Sequence, residues 1–205
     1  KRNILVKNLN GVMEKDGEKL GATQAALLAM TPKGDVKAIM GGVNYGESQF
    51  NRATQSKRQP GSAFKLLVYL SALEQGAWPD MLVEDQPVTV GRWSPGNYTG
   101  DYKGTMTMRD AVAQSINSVA VQMSELYGRG NVLAMARSLG ITSPLEPTPS
   151  IALGAYEVSL LELVTAYAHL ASQGMAVQPY GITKIVNKKG DVLYERKGGS
   201  TSRVL

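Results

Sequence analysis

The chain has no cysteine and a single histidine in 205 residues. Without thiols there is no cysteine nucleophile, no disulfide and no thiolate metal site. One histidine is too few for a histidine-based zinc cluster, and a Ser-His-Asp triad would have to run through His169 alone. His169 lies near the end of an apolar-periodic helix, where its expected role is to cap or to pack. No metal and no cofactor is expected. Long hydrophobic runs are missing as well. A run such as Leu66–Leu70 is far short of a membrane span. Lys1-Arg2 leads into a short mixed stretch without the pattern of a signal peptide, so any exporting or anchoring segment is expected to lie outside these residues. If the chain does nucleophilic chemistry, its base is a lysine or a carboxylate.

What is present is ordinary for a folded protein. Apolar residues make up 43% and charged residues 19%, enough for one sizeable core or two small lobes. The net charge is +5, but the basic residues are scattered, the densest groups being Lys57-Arg58 and Lys188-Lys189. No aromatics interleave with them, which reads as a solvated surface and gives no reason to expect a nucleic-acid partner.

Along the chain, residues 1–20 read as a polar lead-in. Ala25–Met30 and Val36–Ile39 flank Thr31-Pro32-Lys33-Gly34-Asp35, which predicts a β-hairpin. A helix is expected from Ser62 to Gln75, with Gly76 just past its end. Residues 77–104 read as a long loop rich in Pro, Gly, Trp and Tyr, unusual unless functional. A second helix starts near Thr107, with Asp110 three residues on in capping-box style. The polar group Gln114-Ser115-Ile116-Asn117-Ser118 interrupts it, and the helical pattern resumes from Val119 to Tyr127. Further helices are expected at Val132–Leu139 and after the capping box of Ser159 and Glu162. A second hairpin is expected over 181–196. Two hairpins flanking a helical middle indicate an α+β layered domain.

The sharpest chemical feature is the helix after Gly61. Lys65 is the only charged side chain between Arg58 and Glu74. A helix apolar nearly all round is a buried one, and burial lowers a lysine pKa towards the range where it works as a base. Ser62 is three residues earlier, on the same helix face, which predicts a hydrogen bond between its hydroxyl and the Lys65 ammonium. Ser62 also begins the helix, where backbone N–H groups favour a developing oxyanion. The bland alternative is Ser62 as an N-cap and Lys65 reaching the surface. Ser-x-x-Lys alone decides little, since about one match is expected by chance in such a chain. Ser115-Ile116-Asn117 is the second polar break, either a turn aiming a hydroxyl and an amide into a cleft or a plain inter-helix turn with Asn117 as N-cap.

Ser62-Ala63-Phe64-Lys65, followed 53 residues later by Ser115-Ile116-Asn117, resembles the first two active-site motifs of penicillin-binding proteins and serine β-lactamases. The flanking residues are more specific. Phe50-Asn51-Arg52-Ala53-Thr54, Arg58-Gln59-Pro60-Gly61, Trp93-Ser94-Pro95-Gly96-Asn97-Tyr98, Gly104-Thr105-Met106-Thr107-Met108-Arg109-Asp110-Ala111, Leu153-Gly154 and Ala166-Tyr167-Ala168 resemble class A, bifunctional penicillin-binding proteins. That resemblance implies an antiparallel sheet packed on helices plus a helical subdomain. It divides the chain into a lead-in (1–20), a partial transpeptidase domain (21–198) and a tail (199–205).

It also implies roles: Ser62 as acylated nucleophile, Lys65 as its base, Ser115 as proton relay, Asn117 holding the lysine and the substrate amide, and Asn97 lining the cleft as a substrate-binding residue. The implied partners are peptidoglycan stem peptides ending in D-Ala-D-Ala, and β-lactams that mimic them. The implied location is the outer face of the bacterial cytoplasmic membrane. Leu66 stands where the family often has proline. The family's third motif, Lys-Thr-Gly or Lys-Ser-Gly, is absent. The chain is therefore expected to stop short of a complete catalytic domain, to be inactive by itself, and to lack the N-terminal glycosyltransferase half of the parent. The competing readings are a serine β-lactamase, against which the missing Glu-x-x-Leu-Asn loop counts, and a non-catalytic penicillin-sensing or complementing fragment.

Overall fold

The computed structural model describes residues 21–198 and 202–205; the expected lead-in, and residues 199–201 of the expected tail, lie outside them. Besides two-residue stretches at Lys57–Arg58 and Val158–Ser159, the strands are β1 (Leu27–Met30), β2 (Val36–Met40), β3 (Leu82–Asp85), β4 (Gly104–Thr107), β5 (Lys184–Val186) and β6 (Val192–Glu195). The α-helices are α1 (Lys65–Glu74), α2 (Met108–Ala113), α3 (Asn117–Tyr127), α4 (Arg129–Ser138) and α5 (Leu160–Ala171). The architecture mixes helices with short antiparallel strands, and the sheets are small, each of two strands. Among the described residues no helix is long and apolar enough to cross a membrane.

The chain divides into two compact units, one from the residues up to Lys57 together with those from Ser159, the other Arg58–Val158. In the first, β1 and β2 form the expected hairpin, with Leu27 opposite Met40 and Ala29 opposite Ala38. Helix α5 packs against β1. Its N-terminus carries the expected capping box: Ser159 Oγ accepts from the Glu162 N–H, and Glu162 Oε2 accepts from the Ser159 N–H. His169 is buried and its Nδ1 donates to the Thr165 carbonyl at 2.7 Å, a packing role. The second hairpin, β5 with β6, pairs Lys184 with Glu195 and Ile185 with Tyr194.

The second unit is mainly helical. Its core is built from Phe64 just before α1, Leu67, Val68 and Ala72 of α1, Val119, Ala120 and Met123 of α3, and Val132 and Ala136 of α4. Helix α1 packs on α3 and α4 and ends at Gly76 as expected. The Gly76 N–H bonds to the Leu73 carbonyl and the Ala77 N–H to the Ala72 carbonyl, with Gly76 at φ 97°, the 5→2 and 6→1 pair of a Schellman turn. Three expectations need correction here. The region 77–104 is not all loop, because Leu82–Asp85 pairs antiparallel with Gly104–Thr107. Two apolar residues followed by two acidic ones have no alternation of their own; the cross-strand partner makes them a strand. Helix α3 begins at Asn117, two residues before Val119, and α4 begins at Arg129 rather than Val132.

Candidate active site

The turn before α1 is a 3-10 helix, Gly61–Phe64, rather than α-helix. Ser62 stands on it with its side chain exposed, while Phe64 and Lys65 are buried. In a 3-10 turn residues three apart eclipse, so Ser62 and Lys65 remain on one side. The turn is pressed against Gly154. The Gly61 N–H donates to the Gly154 carbonyl at 3.3 Å. A Cβ on Gly154, which has φ 68°, would fall 2.3 Å from the Gly61 carbonyl oxygen. Only glycine permits that approach.

Lys65 is 4% exposed. Its Nζ donates to the Ser115 carbonyl at 2.6 Å, to Ser115 Oγ at 3.1 Å and to Asn117 Oδ1 at 2.5 Å. The sequence expectation of a Ser62–Lys65 hydrogen bond is not met, since Ser62 Oγ is not among these partners. Two amide-type oxygens are better acceptors for an ammonium than a hydroxyl exposed to water. Burial pushes the Lys65 pKa down from 10.5 to about 8, because removing water penalises the charged form.

Ser115 presents both its carbonyl and its hydroxyl because of where the chain puts it. It follows α2 as the left-handed residue of a second Schellman turn, at φ 55°: the Ser115 N–H bonds to the Val112 carbonyl and the Ile116 N–H to the Ala111 carbonyl. Glycine is the usual occupant of that position, so a serine there is strained by on the order of 1 kcal/mol. Ile116, the next residue, is the N-cap of α3 and has no side-chain cap to offer. Asn117 is therefore the first residue of α3, not its N-cap.

Asn97 supplies the missing cap from the upstream loop. Its Oδ1 accepts from the Asn117 and Ser118 N–H groups, each at 3.1 Å. Its Nδ2 donates to Asp85 Oδ1 at 2.7 Å and to the Asp101 carbonyl at 3.0 Å. A carboxamide has two acceptor and two donor positions, and all four are filled. Asn97, expected to bind substrate, is thus fully engaged within the protein. Asn117 spends one acceptor position on Lys65 and one donor position on the Gly96 carbonyl, at 2.9 Å, keeping one of each.

Asp85 was not legible as a site residue. It is 1% exposed and accepts from Ser118 Oγ at 2.5 Å, Asn97 Nδ2 and the Lys103 N–H at 2.9 Å. Burial pushes its pKa up, but these three hydrogen bonds and the Lys103 charge outweigh that and leave it lowered. No motif spacing links Asp85 to Ser118; only folding brings them together. Among the described residues no group of His, Cys, Asp and Glu is placed to hold a metal ion.

The site thus combines a buried lysine, an exposed serine three residues earlier and a Ser-x-Asn turn whose oxygens hold that lysine. The family model for the penicillin-binding protein transpeptidase domain matches residues 23–201, and the chain belongs to that family. Penicillin-binding protein 1A of Aquifex aeolicus is 38% identical over 199 residues, covering 94% of this chain and 27% of that protein. Penicillin-binding protein 1A of Rickettsia felis is 33% identical over 192 residues, covering 89% and 24%. Among solved structures, penicillin-binding protein 1A from Haemophilus influenzae superposes with TM-score 0.82 at 31% identity, over 86% of this chain and 28% of that one. The PonA1 protein of Mycobacterium tuberculosis in complex with penicillin V gives TM-score 0.77 at 29% identity, over 90% and 54%. The chain spans about a quarter of the length of the curated relatives it matches.

Proposed function

We propose that this chain carries part of the active site of a D,D-transpeptidase that cross-links peptidoglycan stem peptides through an acyl-enzyme on Ser62. The observation that carries the reading is Lys65, buried, with its pKa lowered and its ammonium fixed on Ser115 and Asn117, one helical turn from an exposed serine.

Neutral Lys65 keeps two hydrogens for the short contacts to the Ser115 carbonyl and Asn117 Oδ1, and its lone pair then faces Ser115 Oγ. That hydroxyl accepts from the ammonium and donates to the amine, which suits it to relay a proton. Ser62 Oγ bonds to the penultimate D-Ala carbonyl carbon, and its proton passes to the lysine. The amide C–N bond breaks, and the proton returns to the departing terminal D-Ala amine. An amine of a neighbouring stem then attacks the ester; its proton passes to Lys65 and on to Ser62 Oγ as the ester C–O bond breaks, which regenerates the serine hydroxyl. The free donor and acceptor of Asn117 suit a peptide amide of the substrate. In a β-lactam the departing nitrogen stays tethered to the acyl group, so the ester persists. Such a substrate lies on the outer face of the bacterial cytoplasmic membrane, and the working protein is expected there.

The test is labelling of the intact protein with a fluorescent penicillin, followed by mass spectrometry of the Ser62 peptide. Lasting label on Ser62, lost in Ser62→Ala, is expected. Rapid loss of the label by hydrolysis would indicate a β-lactamase instead, and no label would indicate a non-catalytic module.

A further inference from the structure

We propose that Asp85 is a positioning residue of this site: its buried carboxylate fixes the orientation of Asn97, and Asn97 fixes the first turn of α3, so that Asn117 meets Lys65. This rests on the transpeptidase reading above and adds to it a residue that touches neither substrate nor nucleophile.

The chain of contacts runs without a gap. Asp85 ends β3, and its carboxylate points into the unit with 1% exposure. A carboxylate accepts only, so the group facing its Oδ1 must be a donor. That requirement selects which end of Asn97 turns towards it. With Nδ2 on Asp85, Oδ1 faces the other way, onto the Asn117 and Ser118 N–H groups. Those two groups are orphan donors of α3, and Ile116 at the N-cap cannot satisfy them. Asp85 also grips α3 directly through Ser118 Oγ at 2.5 Å. Its negative charge lies behind the positive end of the helix dipole. Asn117, the residue so placed, is the 2.5 Å partner of Lys65 Nζ.

A buried carboxylate with no ion pair to it among the described residues is poorly explained as a stabilising device, since an apolar residue would pack there without the desolvation penalty. Its three hydrogen bonds and the Lys103 charge keep it ionised, and an ionised, acceptor-only group is what holds Asn97 in one of its two flips. A carboxamide at this position offers an NH2 group and removes that selection.

The experiment measures acylation of the intact protein by a chromogenic β-lactam under stopped flow, separating the maximal rate at saturation from the half-saturating concentration. In Asp85→Asn the maximal rate per folded molecule is expected to fall about 10- to 100-fold, the scale of a small misplacement in an active site. Half-saturation should move less than about threefold. A purely structural role would lower the folded fraction and leave the maximal rate per titrated site unchanged. Adding Asn97→Asp to Asp85→Asn restores the donor–acceptor pair: the carboxamide on β3 then donates, and the new carboxylate in the loop still accepts from the two α3 N–H groups, while the hydrogen bond to the Asp101 carbonyl is lost. The double variant is expected to recover part of the lost rate, about threefold.

A folded Asp85→Asn protein with the wild-type maximal rate overturns the proposal. If Asp85→Asn does not fold, Asn97→Asp alone sets two carboxylates against each other and breaks the same link. The same loss of maximal rate is expected there, and a wild-type value overturns the role. Failure of the wild-type protein to label at Ser62 refutes the transpeptidase reading, and this role with it.

Discussion

Lys65 titrating near pH 8 rather than near 10.5 gives acylation a distinctive pH dependence. If the neutral amine takes the Ser62 proton, the rate follows the neutral fraction, about 1 in 100 at pH 6, about 1 in 10 at pH 7 and about half at pH 8. Acylation of the intact protein by a chromogenic β-lactam should therefore rise about tenfold from pH 6 to 7, about fivefold from 7 to 8, and level off above about pH 9. A profile climbing tenfold per unit to pH 10 would mean that Lys65 titrates as an exposed lysine. A flat profile from pH 6 to 9 would remove it as the base.

The same shift appears in stability. The folded state releases the Lys65 proton near pH 8 and the unfolded chain near 10.5. Between those values the unfolded state binds more protons, so stability rises with pH across that window. Fully expressed, the difference is about 3 kcal/mol, present above pH 10.5 and absent below pH 8. Melting curves of wild type and Lys65→Met across this range should diverge with that sign. Parallel curves would contradict the burial assigned to the ammonium.

Ser115→Gly and Ser115→Ala both delete the hydroxyl beside Lys65, and both should slow acylation by about two orders of magnitude or more. Glycine should nevertheless be the more stable of the two by about 1 kcal/mol in chemical denaturation, because only alanine is strained at φ 55°. Gly154→Ala should destabilise by about 2 to 4 kcal/mol, from a Cβ in contact with the Gly61 carbonyl and a left-handed backbone, and should depress acylation at the adjacent Ser62. Ser159→Ala should lower stability by about 1 kcal/mol through loss of the α5 cap and leave the rate per folded molecule unchanged.

The sequence by itself determined what depends on near neighbours. The β1–β2 turn, the stop of α1 at Gly76, the Ser159–Glu162 box and the Ser62–Lys65 spacing each span only a few residues, where backbone geometry leaves few choices. The absence of cysteine and the single histidine leave a lysine or a carboxylate as the base. Burial of Lys65 was legible too, because it is the one charge between Arg58 and Glu74 in an otherwise apolar run. Only the tertiary structure decided where that ammonium goes. Its partners are 50 and 52 residues away in sequence, and the choice of Ser115 and Asn117 over Ser62 depends on how α1 packs against α3. Strand β3 existed only through its partner β4. The link from Asp85 through Asn97 to α3 joins a strand, a loop and a helix N-terminus, and hydrogen bonds between such distant segments follow no sequence period. They appear once packing has removed the water that would otherwise satisfy each group separately.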